Sequence, residues 1–206
     1  VLRASSQLFT FFRNAMASSK TLEQAIADIT IWRKGDQRAP HKPLLLLYVL
    51  ANYQQGHARL FDYGTEIRDQ LHSLLERFGP QRAQYRPDMP FWRLKGDGFW
   101  ELQNDEFCST TGSSRQPPAG ELVKHHVAGG FDEQHYALLS KNKNLIGSLA
   151  QQILEAHFPE SIQEEIADEM GFDIRQIRKV RDPQFRQQVL RAYNYQCRSE
   201  ERRVGK

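Results

Sequence analysis

The sequence predicts a mostly helical α+β domain over residues 20–170. Three observations point there. Apolar residues recur at three- and four-residue spacing in several stretches, as helices with one buried face require. A run from Leu44 to Ala51, interrupted only by Tyr48, reads as a buried helix. Two short aromatic stretches, Pro90-Phe91-Trp92-Arg93-Leu94 and Gly98-Phe99-Trp100-Glu101-Leu102, surround Lys95-Gly96-Asp97-Gly98 in the pattern of a β-hairpin.

The first helix opens at Thr21-Leu22-Glu23-Gln24, which fits a capping box. Leu22, Ile26, Ile29 and Trp32 follow at helical spacing, and Gly35 ends it. The second helix starts at about Pro43, where proline's missing N–H costs nothing. It runs to Gln55, with Gly56 as its stop. Arg59-Leu60-Phe61 fits a short strand or connector. Ile67, Leu71, Leu74, Leu75 and Phe78 form a third stripe, closed by Gly79-Pro80. Residues 80–90 read as a loop ahead of the hairpin, and residues 109–120, rich in Ser, Thr, Gly and Pro, as another. Asp132, just after Gly129-Gly130, is a good N-cap for a helix through Leu139. Leu145, Leu149, Ile153 and Leu154 mark a long helix ending near His157. Ser161-Ile162-Gln163-Glu164 is a second capping box, opening a helix to Met170. Residues 171–183 are polar and basic and read as a linker. Asp182-Pro183 then opens a helix containing Phe185, Val189, Leu190 and Tyr193. Residues 1–19 are read as an extension outside the domain, and residues 198–206 as a non-native tail.

Composition narrows the function classes. With 206 residues, 39% hydrophobic and 26% charged, the chain has the balance of a globular protein, not a disordered one. No apolar run approaches the roughly 20 residues a bilayer requires. Cys108 and Cys197 make no disulfide framework, which fits the cytoplasm. The net charge is +3, but residues 1–15 and 198–206 each contribute +2, so residues 16–197 carry −1. A nucleic-acid role therefore has to rest on local clustering.

Such clustering exists. Arg33, Lys34, Arg38, His41 and Lys42 lie close together in sequence, opposed by Asp36 alone. His41 and Lys42 fall at the start of the leucine helix, whose free N–H groups favour an anion. The stretch reads either as a preorganised phosphate site or as a helix start with solvated cations. Lys124, His125 and His126 form a second group, beside the loop that carries Arg115, with the same two readings. Met89-Pro90-Phe91-Trp92 is a soft, apolar, partly rigid patch. Phe91, Trp92 and Trp100 read as core, and Met89 as a gap-filler or an exposed apolar wall. No P-loop, G-x-S-x-G or H-E-x-x-H motif is present. Neighbouring His125 and His126 project apart and do not suit one metal. His57, His72, His135 and His157 read as surface or packing residues.

In order, four segments resemble the sulfur-binding domain of phosphorothioation-dependent restriction endonucleases: Arg38-Ala39-Pro40-His41-Lys42-Pro43 with its leucines, Pro90 to Leu94, Gly98 to Leu102, and Glu155-Ala156-His157-Phe158-Pro159-Glu160-Ser161. The similarity covers residues 20–170. In that family the domain precedes a C-terminal HNH nuclease, and Phe185 to Cys197 resembles the start of one. There the first cysteine opens a C-x-x-C pair, whereas here the position three on is Glu200.

The resemblance implies phosphorothioate-modified duplex DNA as partner. The family's cationic pair maps onto His41 and Lys42, and its sulfur-contacting proline onto Pro90. Its usual tyrosine is Met89 here, and a position that is often small is Arg93. On this reading His41 and Lys42 hold the phosphate, with Arg38 beside them. Met89, Pro90, Arg93 and the Lys42 stem surround the sulfur. Arg115, Lys124 and His125 are further DNA contacts. Cys197 would be the first ligand of the HNH module, residues 184–197 its start. Divalent metal and structural zinc belong only to an intact module, so no cofactor is expected in this chain, which should bind without cutting. A homodimer through the intact parent is also implied. Two rival readings stand beside this one: a nucleic-acid-cleaving enzyme in its own right, and a helical regulator that binds unmodified DNA or protein.

Overall fold

Leu44, Leu45, Leu46 and Leu47 are all fully buried, and a helix with four consecutive buried residues must be surrounded on every side. That helix, α2 (His41–Gln54), is the axis of the molecule. The computed structural model describes residues 22–172, apart from residues 30, 32, 35–36 and 111–115. Helix α1 spans residues 22–27. Around α2 pack α3 (Arg68–Phe78), α4 (Asp88–Arg93), α6 (Glu133–Lys141), α7 (Lys143–His157) and α8 (Glu160–Met170). A short helix, α5 (Ala119–Lys124), lies against the π-helical turn Tyr63–Ile67 that leads into α3. The fold is mostly helical, with a small three-stranded antiparallel sheet. No helix among the described residues is long and apolar enough to cross a membrane.

The sheet has the order β3 (Phe61–Asp62), β5 (Ala128–Phe131), β4 (Trp100–Gln103). Trp100 pairs with Phe131, and Phe61 with Gly129. Tyr53 of α2 locks the sheet to the helix: its hydroxyl donates to the Arg59 carbonyl at 2.6 Å and accepts from the Phe131 N–H at 3.2 Å. Its burial, the dominant cause, pushes the phenol well above the usual tyrosine range and keeps it neutral.

Several expectations are corrected. Pro90 to Leu94 is not a strand: residues Asp88–Arg93 form α4, and Leu94–Asp97 a 3-10 turn. Phe91 and Leu94 are buried while Arg93 between them is exposed, a helical spacing that a short apolar run does not announce. Pro90 falls in the first turn of α4, where its missing N–H is harmless. The strand at Trp100 finds its partner in β5, not in the preceding segment. A hairpin exists elsewhere, between β1 (Arg33–Lys34) and β2 (Gln37–Arg38). Gly129 and Gly130 lie inside β5, and Asp132 caps the next helix as expected, its side chain accepting from the His135 N–H. The leucine helix begins at His41, two residues earlier than expected, because Pro40 already provides its first carbonyl, accepting from Leu44 N–H at 2.9 Å. Ser161 is inside α8, capped by Pro159, and Gln163 instead donates to the Leu154 and Phe158 carbonyls at the end of α7. The linker does not begin at 171: Gly171 caps α8, and Phe172 is buried, its N–H donating to the Ala167 carbonyl at 2.9 Å. Thr21, Trp32, residues 173–183, the 184–197 segment and both chain ends lie outside the described residues.

Candidate functional site

A cavity of about 710 Å³ opens between the start of α2 and the α4–3-10 segment. The first turn of α2 supplies His41 and Lys42, with Ala39 beside them. From α4 come Met89, Pro90 and Arg93, and from the following turn Gly96 and Asp97. Ile31 and Arg82, the latter from the 79–87 loop, complete the lining. Five residues singled out in the sequence thus meet at one place, although about a third of the domain separates the two groups in the chain.

Local sequence explains the positions. Pro40 and Pro43 bracket His41 and Lys42 and carry no N–H, so the N-terminal donors of α2 reduce to those of His41 and Lys42. No acid lies in that first turn. A cation there is unfavourable against the helix dipole unless an anion is close. Asp97 provides one: its Oδ2 is 2.5 Å from Lys42 Nζ. Gly98, at φ +87°, adopts the left-handed conformation that ends the Leu94–Asp97 turn, with Leu94 buried beneath.

Electrostatics divide the lining into unlike parts. His41 has its imidazole held below the usual histidine range, mainly by burial and then by the Arg82 guanidinium. Both effects favour the neutral form. Arg82 and Arg93 are exposed. Met89 is half-buried and Pro90 buried, so the floor between the cations is apolar. The site can accept an anion that turns one apolar face inward.

Arg93 is not left to solvent alone. Its Nε donates to Gln116 Oε1 at 3.3 Å. Gln116 Nε2 donates to Asp88 Oδ2 at 3.3 Å, and Arg86 grips the same carboxylate from Nε at 3.0 Å and Nη2 at 2.7 Å. Asp88 is 1% exposed, and this fork is what makes its burial tolerable. Gln116 is thereby fastened to α4.

Residues 19–175 match the family model of the ScoMcrA-like DNA sulfur-binding domain. The chain belongs to this family. Its sulfur-binding domain is similar to the solved sulfur-binding domain of ScoMcrA complexed with phosphorothioated DNA, at 24% identity and a TM-score of 0.63, covering 72% of this chain and 96% of that one. That of SprMcrA, also complexed with phosphorothioated DNA, matches at 20% identity and a TM-score of 0.59, covering 74% and 93%. At this identity both likenesses speak to the fold. The type IV phosphorothioation-dependent restriction endonuclease ScoMcrA matches at 25% identity and a TM-score of 0.60, over 72% of this chain and only 32% of that one. No curated protein sequence matches.

Within this sulfur-binding domain the other sequence candidates are placed elsewhere. Lys124 ends α5 and its Nζ lies 3.3 Å from Glu121 Oε1, while His125 Nε2 lies 3.5 Å from Glu121 Oε2. Neither lines the cavity. Glu121 is itself fixed by the Ser109 N–H at 3.0 Å, the main reason its carboxyl sits below the usual range. Arg38 is placed by its backbone in β2, and Arg115 and Cys197 lie outside the described residues. Sequence reasoning missed Arg82, Asp97 and Gln116. Arg82 sits in a charged loop with no local pattern. Asp97 looked like a turn residue, and only its distance from Lys42 reveals a second role.

Proposed function

We propose that this chain binds double-stranded DNA carrying a phosphorothioate, as the recognition part of a modification-dependent restriction endonuclease. The observation that carries this reading is the cavity itself, which joins His41, Lys42 and Arg93 to the apolar surfaces of Met89 and Pro90. Replacing a non-bridging phosphate oxygen by sulfur keeps the negative charge but gives a larger, softer atom that accepts hydrogen bonds poorly. An ordinary oxygen pressed against Met89 and Pro90 would be a stranded acceptor, costing ~1–3 kcal/mol. Sulfur largely escapes that cost, so a preference of about 10–100-fold follows. Arg82, Arg93 and His41 hold the remaining phosphate oxygens, and Arg38, Arg115, Lys124 and His125 extend the contact along the DNA.

Residues 184–197 are, on this reading, the start of an HNH nuclease with Cys197 as its first zinc ligand. Hydrolysis, divalent metal and zinc are the chemistry such a nuclease would supply, in the cytoplasm.

The deciding test is a paired titration at one salt concentration, with one short duplex made with and without a single Rp phosphorothioate. Preference for the sulfur duplex is expected. Equal binding would favour a reader of unmodified DNA, and metal-dependent nicking by the chain would favour an enzyme.

A further inference from the structure

The cavity that collects cations also contains a carboxylate. Asp97 and Lys42 both line it, their side chains are only 6% and 11% exposed, and their charged atoms are 2.5 Å apart. A carboxylate in a phosphate site repels the ligand at long range. Its short-range effect is more specific. With the ammonium turned to Asp97, the surface Lys42 offers alongside Met89 and Pro90 is its aliphatic stem.

We propose that Asp97 is a specificity-determining residue that sharpens sulfur selectivity by withholding the Lys42 ammonium from the atom seated in the cup. The proposal rests on the phosphorothioate reading above. An oxygen seated against Met89 and Pro90 is a strong acceptor denied the Lys42 ammonium. A sulfur in the same position loses little, because it accepts weakly. Releasing the ammonium would give the oxygen a charge-assisted hydrogen bond and the sulfur a poorer one. Unmodified DNA would then gain more than modified DNA, and the ratio would shrink. The 3-10 turn keeps Asp97 in place, anchored by buried Leu94 and closed by left-handed Gly98.

The experiment compares the full chain with its Asp97→Asn variant in titrations of the same duplex with and without one Rp phosphorothioate. For Asp97→Asn, affinity for the unmodified duplex should rise about tenfold and that for the modified duplex about twofold or less, lowering the ratio severalfold. The salt dependence of unmodified binding should steepen by about one phosphate contact. A ratio that stays at the wild-type value, with both affinities moving together, would show Asp97 to be scaffold or bulk charge and would overturn the proposal while leaving the binding reading intact. A wild-type chain without sulfur preference would overturn both. If breaking the pair unfolds the chain, a double variant, Lys42→Met with Asp97→Asn, asks the same question with a neutral pair, a replacement that buried ion pairs often tolerate. Its ratio should match or exceed that of wild type, since no ammonium remains to serve an oxygen. A ratio near one would sink the idea.

Discussion

His41 and Arg82 face the same cavity, and the arginine adds to the burial that already disfavours a charged imidazole. Below the ordinary histidine value of 6.5 the unfolded chain takes up a proton that the folded chain resists, so acidification costs stability. Binding has the opposite sign. A phosphodiester seated among His41, Lys42, Arg82 and Arg93 raises the imidazole pKa, the complex holds more protons than the free protein, and affinity increases as pH falls. One proton gives at most about tenfold per pH unit. Titrations from about pH 7.5 to about pH 6 should show a severalfold gain in wild type and a flat profile in His41→Gln. Equal slopes would remove His41 from the linkage. Arg82→Ala should weaken binding to modified and unmodified duplexes alike and reduce the log–log salt slope by about 0.9. An unchanged slope would place Arg82 off the DNA. Pro90→Ala should lower the sulfur preference more than the affinity for unmodified DNA, because it removes the ring and not a charge. Those cavity-lining residues that sit in contiguous motifs could be singled out in the sequence. Arg82 and Asp97 could not, since a loop and a turn bring them in only through tertiary packing.

At the scale of elements, long periodic segments were readable and short ones were not. The α3 and α7 stripes appear in the chain as repeating leucines and isoleucines, and both helices exist with nearly the expected ends. Met89-Pro90-Phe91-Trp92 is too short to declare its period, and its helical form is settled by Phe91 packing beneath the sheet, 5.1 Å from the Tyr63 ring and 6.0 Å from that of Trp100. The two glycines of β5 carry a loop signal by composition but serve close approach. A Cβ at Gly130 would lie 2.1 Å from the Arg59 carbonyl oxygen and 2.9 Å from the Tyr53 hydroxyl. Backbone cannot yield there as a flexible side chain can. Gly130→Ala should therefore cost about 1–3 kcal/mol, measured as a lower urea midpoint at unchanged m-value. A midpoint equal to that of wild type would mean the strand has slack that the packing does not show.

At the scale of the molecule, the site is built into the core instead of hung on it. Its cations start the central helix α2, and its apolar floor starts α4, whose Phe91 belongs to the same buried cluster as the leucines. With a net charge of only +3 over 206 residues, the overall field draws DNA in weakly, and local geometry has to supply most of the affinity. A ligand bound at such a place cannot stay bound while the core opens, so its binding free energy should appear as global stability. A modified duplex at about 100 times its Kd should add ~2.7 kcal/mol, or roughly 5–11 °C in Tm for a domain of this size. The unmodified twin at the same concentration, bound 10–100-fold more weakly, should add only about 0.4–1.4 kcal/mol. Melting the chain with each duplex, followed by a signal confined to protein, checks this. Equal shifts would mean that the apolar floor does not discriminate, and a shift absent with both would mean that the cavity is not where DNA binds.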